Sequence, residues 1–205
     1  YRTKAELKMI PLGIIQLHST QWFHLVHVLL VEPDYYTRYP PLGLLKLATY
    51  HRHLGDTVEL VRGLGRPARA PDVVHVTSLF SWAWRPVHEA VSHYKSLYLD
   101  AKVHLGGIYA SLLPDHAKLS GADAIHVGLF HEAEQLLPAY DLVPSWKASI
   151  LFASRGCVRR CGFCSVPKLE GRPHDLKFEI RHMIYPRHSR VILWDNNILG
   201  NPNWP

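Results

Sequence analysis

Three cysteines fall within one eight-residue window, Cys157-Val158-Arg159-Arg160-Cys161-Gly162-Phe163-Cys164, and the chain has no others. The spacing is C-x3-C-x2-C, so one loop offers three thiolates, not four. Three thiolates can hold three corners of a four-iron cluster and leave the fourth iron open. A structural zinc site closes its tetrahedron with four protein ligands. Ferredoxin runs space their cysteines C-x2-C-x2-C and add a further one, and this chain lacks both features. An incompletely ligated iron is a place for chemistry. The alternative is a zinc loop that borrows His174 or His182, although His174 lies ten residues beyond Cys164, outside common zinc spacings.

Such a loop has to be positioned by the elements around it. Residues 149–153 read as a strand, and Ser154, Arg155 and Gly156 as the turn that delivers Cys157. Upstream, strand and helix signals alternate. Apolar or β-branched runs at 25–31, 57–61, 72–79, 102–105 and 124–127 predict five strands. Helical spacing predicts helices over 41–54, 86–99, 111–119 and 131–137. Pro41 suits a first helical turn and Gly55 a left-handed terminal cap. Alternation with short connections calls for a doubly wound parallel sheet with helices on both faces. Residues 1–23 stay unassigned, 24–140 form this first domain, and 141–148, with Pro144 and Ser145, read as a linker. A second strand–loop–helix unit opens at 149 and runs to 205, with 178–183 in its first helix and 190–194 as its next strand. Asp195, Asn196 and Asn197 follow that strand. Ligand sites in α/β folds gather at the carboxyl ends of strands, which is where the cysteine loop falls.

Composition excludes several classes. A hydrophobic share of 47% and a charged share of 20% over 205 residues are those of an ordinary globular protein. No apolar run approaches the ~18–20 residues of a membrane span, and no secretory leader pattern opens the chain. Clustered cysteines in a chain of this length argue for a reducing compartment, with the cytoplasm as the default. The net charge of +6 reads as a mild basic excess spread along the chain, a solvated surface with nucleic acid not indicated. Of the fifteen histidines, His75, His104 and His126 alternate with Val, Ile or Leu and read as strand positions, not ligands. No Walker loop, G-x-G-x-x-G or G-x-S-x-G element is present, so kinase and hydrolase readings have no support.

The cysteine spacing with Phe163 in its aromatic slot resembles the C-x3-C-x-aromatic-C signature of radical S-adenosylmethionine (SAM) enzymes. The resemblance implies that Cys157, Cys161 and Cys164 hold a [4Fe–4S] cluster whose open iron chelates the amino and carboxylate groups of SAM. Reductive cleavage then gives methionine and a 5′-deoxyadenosyl radical, which abstracts hydrogen from a substrate that the sequence does not name. It also implies an external electron donor such as flavodoxin or ferredoxin, Phe163 near the SAM adenine, and the Asp195–Asn197 region in the SAM pocket. Arg155, Arg159 and Arg160 would raise the cluster potential, or simply face solvent. Gly162 lets the loop wrap closely. A radical SAM core is normally a (β/α) barrel of about six strands, and two are legible here. The chain is therefore read as the truncated start of an incomplete barrel.

The first domain resembles the cobalamin-binding-type Rossmann domain that precedes the core in a large subgroup of that family. The carrying stretches are Tyr39-Pro40-Pro41-Leu42-Gly43-Leu44-Leu45-Lys46-Leu47-Ala48, Gly55-Asp56-Thr57-Val58-Glu59-Leu60, Gly106-Gly107-Ile108-Tyr109-Ala110 and Val127-Gly128-Leu129-Phe130-His131-Glu132. Base-off cobalamin domains carry Asp-x-His-x-x-Gly after the first strand, whereas residues 31–38 here contain no histidine. Ser78, Gly106 and Gly107 are candidates for a cobalamin tail pocket, since small residues permit close backbone approach; strand-ending glycines are the plainer alternative. Trp82 and Trp84 are expected in packing or stacked on a substrate. Two rivals remain: a non-enzymatic iron–sulfur or zinc protein that senses redox state or metal, and a corrinoid-binding module in which the cysteines are incidental.

Overall fold

The structure is a computed structural model that describes residues 25–176 and 180–200. The unassigned stretch 1–23 and positions 178 and 179 of the expected helix at 178–183 lie outside the described residues. Five parallel strands form the first sheet: β1 (His27–Glu32), β2 (Thr57–Arg62), β3 (Val73–Ser78), β4 (Lys102–Gly107) and β5 (Ala124–Ile125). Their order is β2-β1-β3-β4-β5, so the chain reverses direction across the sheet between β1 and β3. This is the doubly wound arrangement expected, with a switch point of the kind that gathers ligands.

Strand periodicity divides the core between two faces. Leu29 and Val31 of β1, Val74 and Val76 of β3, and Val103 and Leu105 of β4 point one way and are essentially inaccessible. Helix α2 (Trp84–Leu97) covers them with Val87, Ala90, Val91 and Tyr94, an i, i+3, i+4, i+7 stripe. On the other face, Val28 and Leu30 pack beneath Leu44 and Ala48 of α1 (Leu42–His53). At about 25 cal/mol per Å² of apolar surface, each buried Leu or Val contributes about 1.5–3 kcal/mol. Helix α1 stops where the sequence predicts: Gly55 takes φ +90° and donates its N–H to the Arg52 carbonyl at 3.1 Å.

The second face also carries histidines. His75 and His104 lie directly across from one another in β3 and β4, as strand positions. His51 descends from α1 to bring its Nε2 within 3.2 Å of His75 Nε2, while its Nδ1 meets Asp56 at 2.8 Å. Burial pushes the His75 pKa down to about 3, with His51, His104 and His126 adding to the effect. His126 lies just past β5.

Three expected elements differ in extent. The helix expected over 111–119 is two short ones, α3 (Ile108–Leu112) and α4 (Pro114–Lys118). Pro114 has no N–H to continue α3 and steers Leu113 out of the helical region, to φ −132° and ψ 58°. Strand β5 stops at Ile125, two residues short, ahead of Gly128 at φ +90°. Helix α5 (His131–Glu134) ends three residues early.

The segment expected as a linker is fixed between the two units. Tyr140 is buried, and its hydroxyl accepts the Ile150 N–H at 2.8 Å. Trp146 packs edge-on to Tyr39 with ring centroids 5.7 Å apart. Next comes β6 (Ala148–Leu151), fully buried and paired in parallel with β9 (Arg190–Leu193). Between them, β7 (Ser154–Arg155) and β8 (His174–Asp175) form a short antiparallel ribbon, and α6 (Val166–Leu169) is a single turn. Residues 180–183 are a 3-10 turn in place of the expected helix. No helix among the described residues is long and apolar enough to cross a membrane.

Candidate functional site

The cysteine loop leaves the carboxyl end of β6 and is framed by the carboxyl end of β9. Asp195, directly after β9, ties the two together: its carboxylate accepts the N–H of Ala153 at 3.1 Å and of Ser154 at 2.5 Å, and the Ser154 hydroxyl at 2.7 Å. The turn before the first cysteine requires glycine. Gly156 sits at φ +82°, and a Cβ there would lie 2.6 Å from the Arg172 carbonyl oxygen.

Beyond that turn the loop opens outward. Cys161 is exposed, Cys157 and Cys164 are half-buried, and all three are free thiols. Cys164 N–H closes a turn onto the Cys161 carbonyl at 3.0 Å. Cys157 Sγ accepts the Arg159 N–H at 3.4 Å and the Asn197 side-chain amide at 3.5 Å. Phe163 is 93% exposed, so its ring is uncovered by the protein. Among the described residues, no group of three or more His, Cys, Asp or Glu side chains closes around a single-ion position. What fits an iron–sulfur cluster is the donor chemistry: three free thiols on one loop, exposed or half-buried, with open space beside Gly162.

Charge behind the loop is arranged in a way the sequence did not foretell. Arg155 is not a solvated cation; its side chain is 8% exposed. Its Nε donates to Glu134 at 2.8 Å, Nη2 also contacts Glu134, and Nη1 donates to Glu170 at 3.1 Å. The guanidinium lies 3.5 Å from the Phe152 ring centroid, a stacked cation–π contact. Lys46 of α1 joins the network, donating to the Glu134 carbonyl at 2.6 Å and pairing with its carboxylate at 3.3 Å. Burial lowers the Lys46 pKa against the pull of Glu134, and Arg155 lowers it further. Arg159 and Arg160 face solvent.

The candidate cobalamin residues form one close junction in the first sheet. Ser78 is fully buried; its hydroxyl donates to the Gly106 carbonyl at 2.6 Å and accepts the Ala110 N–H at 3.2 Å. Gly107 sits at φ +101°, and a Cβ on it would lie 2.4 Å from the Ser78 carbonyl oxygen. Backbone approaches backbone here, as the smallness of these residues implies. A cleft of about 490 Å³ opens beside β1, lined by Glu32, Asp34, Tyr35, Tyr36, Arg62 and Gly63. Glu32 closes β1 with a buried carboxylate raised to about 7 by desolvation, against the pull of Arg62 Nε at 2.5 Å. Its role was invisible in sequence, where it follows four apolar residues as an ordinary strand end. Phe80 and Trp82, after β3, stack with centroids 4.9 Å apart, and Trp82 is exposed. Trp84, the first residue of α2, packs half-buried against the core.

No family model and no curated protein matches the chain. Among the solved structures that share its fold are two of one enzyme. Both are of the radical S-adenosylmethionine methyltransferase TsrM from Kitasatospora setae, one with tryptophan substrate and the SAM analog aza-SAM bound, the other with cobalamin and a [4Fe-4S] cluster bound. They align with TM-scores of 0.52 and 0.50 at 18% sequence identity, over 77% of this chain. The chain spans less than half of their length, 44% and 45% respectively.

Proposed function

We propose that the chain comprises a cobalamin-type Rossmann domain and the cluster-binding start of a radical SAM enzyme. The observation that carries the proposal is the C-x3-C-x2-C loop, with its three free thiols, at the carboxyl end of β6. The shared fold with the TsrM structures supports the same reading. Cys157, Cys161 and Cys164 are the residues that would hold a [4Fe–4S] cluster. When bound, that cluster passes one electron from an external donor of flavodoxin or ferredoxin type to the sulfonium of SAM, giving methionine and a 5′-deoxyadenosyl radical.

The chain's own residues prepare this site. Asp195 and Gly156 hold the strand end and the turn so that the loop projects from a rigid base. Phe163 offers an uncovered ring face to the adenine of SAM. The cleft at the carboxyl end of β1 and the Ser78–Gly107 junction are the proposed cobalamin region, with the substrate a small molecule. Residues 31–38 contain no histidine, so any corrinoid would be held there without a protein imidazole from that segment.

Anaerobic reconstitution with iron and sulfide tests the proposal. Wild type should take up about four irons with matching sulfide, and its reduced spectrum in electron paramagnetic resonance should change when SAM is added. Cys161→Ala should lose the cluster, since two thiolates remain. Zinc without sulfide, unchanged iron in the variant, or a spectrum indifferent to SAM would each overturn the proposal.

A further inference from the structure

One carboxylate joins the start of the cysteine loop to the end of β9. Glu170, just past α6, has a side chain 12% exposed, and both its oxygens are engaged. Oε1 accepts Arg155 Nη1 at 3.1 Å. Oε2 accepts two donors at 2.7 Å, the Gly156 N–H and the Asn196 side-chain amide. Gly156 directly precedes Cys157, and Asn196 directly precedes Asn197. Those next residues are the pair that meets: Asn197 Nδ2 donates to Cys157 Sγ at 3.5 Å.

The placement of Asn197 is tight on its other side as well. A Cβ on Gly200 would lie 2.5 Å from Asn197 Nδ2, so residue 200 sits close against the amide. Cys161 and Cys164 receive no side-chain hydrogen bond of this kind among the described residues. The three thiols are thus inequivalent, and one of them carries a built-in donor.

We infer that Asn197 is a positioning and tuning residue for the Cys157 corner of the cluster, held in place through Glu170; this rests on the cluster reading proposed above. Reduction adds an electron to the cluster and increases the negative charge on its sulfurs. An N–H···S hydrogen bond stabilises that more negative state and raises the potential. Removing the amide therefore makes the cluster harder to reduce without removing a ligand. At fixed potential the reduced-to-oxidised ratio should fall roughly three- to tenfold, the worth of one hydrogen bond.

The test uses the full chain reconstituted anaerobically, with iron and sulfide counted and the midpoint potential read by a paramagnetic-resonance redox titration without SAM. Asn197→Ala should keep the full cluster and shift its potential negative. Asn197→Asp, equal in shape, should shift it further, because a carboxylate repels the added electron. Asn196→Ala, which breaks the Glu170 contact without changing the charge, should move the potential the same way, and the double variant Asn196→Ala with Asn197→Ala no further than Asn197→Ala alone, since the two act through one contact. A full cluster whose potential is unmoved in both Asn197 variants overturns this inference and leaves the cluster reading intact. A wild-type chain that binds no sulfide overturns both together.

Discussion

Glu32, buried, and His75, half-buried, are two titratable residues with opposite effects on how stability responds to acid. Glu32 is raised to about 7 in the fold by desolvation, above its ordinary value of 4.5. The folded state therefore holds more protons than the unfolded chain between those values, and this residue's contribution falls as pH rises through that window. His75 is lowered from 6.5 to about 3, again chiefly by burial. There the unfolded chain binds more protons, so its contribution is present above about 6.5 and is lost as pH falls toward 3. The two offset one another between the Glu32 and His75 ordinary values. Glu32→Gln should gain stability relative to wild type on going from mildly acidic to neutral pH. His75→Leu should gain relative to wild type as pH falls. Urea midpoints measured across that range check both; parallel pH profiles for either variant and wild type would refute the assignment. Leu30 is in register with His75, and an alternating apolar strand with one polar member is what the sequence showed, so the position was legible. The partners were not, because His51 comes from a helix and His104 from another strand.

At the scale of elements, local signals sufficed where they were strong. Helices α1 and α2 and strands β1 to β4 fall within about two residues of their expected limits, because each has the period of its own type and a proline or glycine at its boundary. The junction of β4 with α3 shows what a local reading misses. Gly106 and Gly107 are visible as strand-ending glycines, yet the need for them is a contact with Ser78, which pairs with Gly107 across β3 and β4. Gly107→Ala should cost about 1–3 kcal/mol from its positive φ alone. The collision of the new Cβ with the Ser78 carbonyl adds to that. Gly106→Ala is the comparison: its Cβ would meet His126 Cβ at 3.4 Å, an ordinary contact. Thermal unfolding of both variants should show Gly107→Ala clearly the worse, and equal losses would count against the close approach. The β7–β8 ribbon lay beyond sequence reading for a related reason. Two-residue strands have no period, and Ser154 and Asp175 are matched only by the fold.

At the scale of the whole molecule, the two units are joined by a buried ionic network that sequence separation conceals. Lys46, Glu134, Arg155 and Glu170 come from α1, α5, β7 and the end of α6, and all four side chains are at most 13% exposed. Two cations and two carboxylates balance, and Phe152 lies against Arg155. The cysteine spacing marks a candidate site in the sequence, but no pattern links residues 46 and 134 to it. Nor did the overall charge: the basic excess read as evenly spread is concentrated, with nine Lys and Arg against four Asp and Glu in residues 149–205. Glu134 is the member whose loss is most costly, because both cations contact it. Removing one partner of a buried ion pair typically costs about 3–5 kcal/mol, since the stranded charge stays desolvated. Glu134→Ala should therefore destabilise the chain by about that amount in urea unfolding. It should also loosen the loop that Arg155 anchors, seen as faster tryptic cleavage after Arg159 and Arg160 under native conditions. Lys118→Ala, which breaks the exposed pair with Asp115 on α4, should change neither measurement. If Glu134→Ala unfolds at the wild-type urea concentration and is cleaved no faster, the network does not couple the first sheet to the cysteine loop.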